Sequence, residues 1–286
     1  MKIFLASLLV FGLAIDLVVS QAALPGQFPS HGALIFQGRI CGATVLNNRH
    51  VLSAASCGLS PTFERLPVAA YTLHLGVVNI PATPGMGIIQ FYIHEEYNPH
   101  HEHWNNIAVF RTAVNILLDL PPPAPQISAV ETYNRIVPDE ENCVLVGWNA
   151  PPQHTLIPLQ HQVQAIFSRE YCNSLPQVAG SVLDSMVCAG SILVNPNPCP
   201  NNPGGALYCH GRLFAIMSHN RQCGMPNAPG VYTQYRFYEN WIQVQMNRTD
   251  TPPAGPTPPP GHSGAESIAG IPLFTLLALL VLRLLA

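Results

Sequence analysis

Between residues 32 and 246 the chain reads as short apolar runs separated by glycine, proline and asparagine. Runs rich in valine, isoleucine, leucine and tyrosine fall at 32–36, 44–46, 72–75, 88–93, 144–146, 163–167 and 213–217. Apolar segments this short, closed off by turn-forming residues, are the pattern of β-strands, and they predict an all-β protein. Leu120-Pro-Pro-Pro-Ala-Pro125 interrupts the series. Proline fixes φ and has no N–H to donate, so neither a strand nor a helix continues through that segment. Only 236–246, with Phe237, Trp241, Ile242 and Val244 spaced along one side, suits a helix; a final strand is the other reading.

Both ends of the chain depart from this pattern. Lys2 precedes an apolar stretch at 3–19, and Val18-Val-Ser20 offers small residues for cleavage, as in a secretory signal peptide at 1–20. A domain would then run from 21 to 248. Thr251-Pro-Pro-Ala-Gly-Pro-Thr-Pro-Pro-Pro260 is too proline-rich to fold and makes 249–263 an extended stalk. A hydrophobic tail at 264–286 follows, with its apolar run at 271–286. Small residues, a spacer and a terminal apolar run are the order of a glycolipid (GPI) attachment signal, with Ser263 the expected attachment residue. A spanning helix is the competing reading. It needs about 20 apolar residues, whereas this run is shorter, begins near Pro272 and contains Arg283.

Charge narrows the choice of partners. From 21 to 263 there are ten arginines, no lysine and thirteen carboxylates, a net charge of −3. No basic field exists to hold nucleic acid or another polyanion. The eight cysteines fit an exported, disulfide-stapled domain, although spacing alone leaves on the order of a hundred pairings open.

A set of short motifs, taken in order, narrows the fold. Gly-Gln-Phe-Pro (26–29), Cys-Gly-Ala (41–43), Ala-Ala-Ser-Cys (54–57), Asn-Asn-Ile-Ala (105–108), Val-Gly-Trp (146–148), Cys-Ala-Gly (188–190), Cys199-Pro-Asn-Asn-Pro-Gly-Gly-Ala-Leu207, Pro-Gly-Val-Tyr-Thr (229–233) and Glu-Asn-Trp-Ile (239–242) follow one another along the chain. In that sequence they resemble the landmarks of trypsin-like serine proteases. The resemblance implies two antiparallel β-barrels and a C-terminal helix, the first barrel ending near 120 and the second beginning near 127, with the proline-rich segment as the crossover. It also implies four disulfides: Cys41 with Cys57, Cys143 with Cys209, Cys172 with Cys188, and Cys199 with Cys223.

The same resemblance exposes a loss of chemistry. The three reacting positions carry Ser56 in place of the general-base histidine, Asn106 in place of aspartate and Pro203 in place of the serine nucleophile. Proline has no hydroxyl and no backbone N–H, so an oxyanion-hole donor disappears with the nucleophile. The second donor position carries Asn201 where glycine is usual. One missing donor costs about 2.7–4 kcal/mol of transition-state stabilisation, eroding the roughly 10³- to 10⁴-fold residual catalysis of a site without its triad. The pocket positions are Asn197 at the base, Ser218, His219 and Asn220 on the extended-substrate strand, and Gly230, which would leave the wall open. Val18-Val19-Ser20-Gln21 and Asn202 stand where the family has its activation segment and the aspartate that pairs with it. No zymogen switch is expected.

His100-His101-Glu102-His103-Trp104, with His94 and Glu95-Glu96 upstream, is the one cluster that suggests a metal. Its spacing matches no dedicated site, so the sequence implies no metal and no cofactor. Asn247-Arg-Thr249 is a glycosylation sequon. These readings combine into a secreted, catalytically inactive serine protease homologue, held on the outer face of the plasma membrane by a glycolipid. Its expected partners are extracellular proteins, active serine proteases or microbial surfaces, in a protease cascade or innate immune recognition. The alternative is a serine-type hydrolase with residual or unconventional activity.

Overall fold

Strand β2 (His31–Phe36) directs Leu34 and Phe36 into one apolar cluster and Ala33 and Ile35 into another. Both faces of this pleated strand are therefore buried, which is why it reads as a continuous apolar run. The computed structural model describes residues 20–81, 85–99, 104–148, 158–176, 178, 180–190, 203–219 and 229–249. Residues 1–19 of the expected signal segment (1–20), the expected stalk and tail from 250 on, Asn197, Cys199, Asn201, Asn202, Asn220, Cys223, Ser263 and His100 to His103 lie outside the described residues.

The first barrel closes in the order β2, β3 (Arg39–Val45), β4 (His50–Ser53), β7 (Ala108–Thr112), β6 (Met86–Ile93) and β5 (Tyr71–Leu75). Leu34 pairs with Cys41 on one side and Leu73 on the other. Phe91 stacks on Phe110 with centroids 5.0 Å apart, and the Tyr71 ring stands edge-on to both. The Tyr71 hydroxyl donates to the Cys57 carbonyl at 2.9 Å, which satisfies its polar end within the core.

The second barrel comprises β8 (Asn142–Gly147), β9 (Gln160–Phe167), β10 (Met186–Gly190), β13 (Gly230–Gln234), β12 (Arg212–His219) and β11 (Ala206–Cys209), closed by pairing of β8 with β9. Leu145, Leu207, Phe214, Met217 and Tyr232 fill its interior. Alternate residues Val146, Ala206, Tyr208 and Ile216 face the first barrel and join Leu52, Ile107 and Val109 in a layer shared by the two. Strand β1 (Gln21–Ala22), at the start of the domain, pairs with β9 of the second barrel. Helix α2 (Glu239–Met246), at its end, returns to lie against β7 of the first, with Ile242 buried in the shared layer.

The expected helix at 236–246 begins three residues late, because Tyr235–Phe237 is a 3-10 turn. Helix α1 (Arg169–Ser174) was not foreseen. Ser168 caps it, its Oγ accepting from the Tyr171 N–H at 3.1 Å, and Cys172 within it is bonded to Cys188. Disulfides Cys41–Cys57 and Cys143–Cys209 also match the expected pairs.

Candidate functional site

Ser56 lies in a 3-10 turn (Ala55–Gly58) directly after β4, and Asn106 lies two residues before β7. Pairing of Ser53 with Ala108 between these strands brings the two side chains together. The Ser56 N–H donates to Asn106 Oδ1 at 2.9 Å. From the other end of the amide, Nδ2 donates to the Ser218 carbonyl at 3.2 Å and Ser218 Oγ at 3.0 Å, and approaches Ser56 Oγ at 3.4 Å. Thr233 Oγ1 donates to the Asn106 carbonyl at 3.3 Å. Asn106 is fully buried, with both ends of its side-chain amide and its backbone carbonyl engaged. An aspartate could accept the first of these bonds but could not donate to the Ser218 carbonyl.

Pro203 belongs to the same locus. Its carbonyl accepts the Gly42 N–H at 2.9 Å and lies 3.7 Å from Cys57 Sγ, beside Ser56. The approach is backbone against backbone: a Cβ on Gly42 would stand 2.5 Å from the Gly204 carbonyl oxygen and the Gly205 nitrogen. Gly204 itself holds φ +80°, a left-handed conformation open to glycine. The turn that would present a nucleophile is thus built and docked on β3, with a proline at its tip.

The Tyr97 hydroxyl is hydrogen-bonded to Ser56, and burial pushes its pKa up to about 12. Ser218 Oγ, which accepts from Asn106 Nδ2, also lies 3.2 Å from Nδ1 of His219. Ser218 is only 1% exposed, so its oxygen is not open to a substrate. At Gly230, the expected open position of the pocket wall, a Cβ would lie 3.0 Å from Met217 Cε and from atoms of the Tyr232 side chain, both of them buried. Tyr97 and Met217 carry no local sequence signal, since their roles depend on partners far along the chain.

His94 and Glu95, part of the expected histidine-rich cluster, serve packing. His94 sits 5.0 Å from the Trp241 ring and 5.3 Å from that of Tyr238, and Glu95 accepts the Trp241 Nε1–H at 2.8 Å. Among the described residues no three potential ligands come together to hold a metal. Asn247 caps the C-terminal end of α2 and is exposed. Also among the described residues, no helix is long and apolar enough to cross a membrane.

Comparison with known proteins agrees with this architecture. The Trypsin family matches residues 17–242. Human transmembrane protease serine 5 is 30% identical over 240 residues, which cover 80% of this chain and 51% of that protein. Human transmembrane protease serine 11B is 28% identical over 242 residues, covering 79% and 54%. The chain thus spans about half the length of these relatives. The structure of mouse neuropsin, a serine protease expressed in the limbic system of the brain, superposes with a TM-score of 0.67 at 28% identity. That match covers 80% of this chain and 99% of neuropsin.

Proposed function

This chain belongs to the trypsin family of serine proteases, and on that premise we propose that it is a member that binds without cutting. One observation carries the reading. Among the described residues, the side chains bonded to Ser56 and Asn106 are amide, phenol and hydroxyl groups, and the His219 imidazole lies against the buried Ser218 Oγ. Such a network cannot take a proton from an attacking oxygen at neutral pH. Pro203 contributes neither oxygen nor N–H at the place of attack.

A fluorophosphonate probe is expected to leave the purified chain unlabelled, as read by intact mass. Stoichiometric labelling at Ser56, Ser218 or any other serine would establish a working nucleophile and favour the unconventional hydrolase instead.

The role then lies in recognition, with an active protease of an extracellular cascade or a microbial surface as partner, as in innate immunity. Disulfides within both barrels suit the oxidising exterior of the cell. The order of proline-rich stalk, Ser263 and apolar tail supports a glycolipid anchor. Phosphatidylinositol-specific phospholipase C is expected to release the protein from intact cells into the medium. Retention on the membrane after that treatment would point to a spanning tail.

A further inference from the structure

Away from Ser56 and Asn106, the segment 27–30, Asp119, the crossover at 128–131, the start of β8 and the turn after β11 line an open cavity of about 760 Å³. Its apolar surface includes the rings of Phe28 and Tyr208, stacked with centroids 6.1 Å apart at 22°. Tyr208 is anchored by a 3.0 Å bond between its hydroxyl and Ser30 Oγ. Asp119 and Glu131 bring two carboxylates to the lining, and no arginine or lysine joins them there. Glu131 already holds Arg212 at 3.0 Å, whereas no ion pair engages Asp119 among the described residues.

The walls are set before anything binds. Cys143 lies between the lining residues Asn142 and Val144, Cys209 lies between Tyr208 and His210, and the two cysteines are bonded to each other. The opposite wall is tied by the Ser128 N–H to the Pro29 carbonyl at 3.1 Å and by the Val130 N–H to the Val45 carbonyl at 2.8 Å. A preformed, partly aromatic cavity with a few placed polar groups is the form of a binding site, and its rigidity lowers the ordering cost of association.

We propose that this cavity receives an arginine side chain presented by an extended peptide segment of an extracellular partner. The guanidinium is planar and weakly hydrated, stacks on aromatic faces, and pairs with a carboxylate through two parallel N–H bonds. Phe28, partly exposed, supplies the face, backed by the buried Tyr208 ring; Asp119 supplies the free carboxylate, and the volume admits the flanking peptide. A compact ammonium matches the carboxylate but not the stacked rings.

The test is calorimetric titration of the intact chain with acetyl-Pro-Arg-Pro-amide and with its citrulline counterpart, which keeps the shape and removes the charge. The arginine peptide is expected to bind at least about tenfold more tightly than the citrulline one, the equivalent of roughly one charge-assisted contact. Asp119→Asn should erase that preference. Asp119 sits at φ +54°, a conformation asparagine also adopts readily, so the substitution leaves the backbone as it is. Phe28→Leu keeps the side chain apolar and should weaken both peptides. Equal binding of the two peptides, undiminished preference in Asp119→Asn, or no binding at millimolar peptide would overturn the assignment. None of these results depends on whether the Ser56 locus is active.

Discussion

Lowering the pH from 7 to 5 is expected to remove about 4 kcal/mol of folding stability, most of it through two buried histidines. The His31 ring lies parallel to Trp148, 5.5 Å away, with both nitrogens buried and unpartnered, and burial lowers its pKa to about 3. His50 bonds Asn47 Oδ1 through Nδ1 and leaves Nε2 buried without a partner. Its pKa falls to about 4 through burial, then through Arg111 and Arg49. In the unfolded chain both titrate near 6.5, so between that value and the folded pKa the unfolded state binds more protons. Stability is therefore full above about 6.5 and falls as acid protonates the unfolded imidazoles. Each ring contributes about 2 kcal/mol of the loss at pH 5, a large share of the 5–15 kcal/mol typical of a domain. His74 and His161, also lowered by burial, act in the same direction. Urea unfolding at the two pH values measures the loss. In His31→Gln, neutral at every pH, the loss should shrink by about half; an unchanged pH dependence would show that His31 does not carry it.

Asn106→Asp is the second large effect, with an expected cost of about 3 kcal/mol at neutral pH. The substitution replaces a donor with an anionic oxygen 3.2 Å from the Ser218 carbonyl, at a residue with no exposure and, among the described residues, no cation bonded to it. Burial and that carbonyl would raise the carboxyl above its unfolded pKa. The penalty accordingly grows as pH rises through the raised value and shrinks in acid. Adding Ser56→His should recover part of the loss, because an imidazole can donate to the new carboxylate. Denaturation of the two single variants and the double variant gives the coupling directly. A coupling near zero would mean that the amide network does not set the character of this locus. Hydrolysis is not expected to return in the double variant, since Pro203 still occupies the nucleophile position.

How much could be read beforehand depended on the range of the signal. Strands β2, β8 and β12 were legible because both their faces are buried, so that Leu34 and Ile35, or Leu145 and Val146, stand side by side in sequence. Short motifs located Ser56, Asn106 and Pro203, and the structure draws them together around the turn after β4. Helix α1 escaped notice because six residues span too little of a helical period to register, and its cap and disulfide do the stabilising. Two features were illegible for a different reason. The solitary state of His31 depends on Trp148, 117 positions away, and the cavity proposed to take arginine draws its walls from five separate stretches between 27 and 211. Neither leaves a trace in any local window.

The crossing of the two ends has a consequence for biosynthesis. Residues 21 and 22 contribute a strand to the later barrel, and Ile242 comes back to seal the earlier one. The six strands of the first barrel are complete by residue 112, but a nascent chain cannot complete the layer shared by the two barrels until the second barrel and α2 have been made. Its first strand waits for a partner 140 residues downstream, and the shared layer stays open until almost the last residue of the domain has been made. Closure of the shared layer is thus a late step, and a truncation that removes only the final helix would leave the place of Ile242 in that layer open.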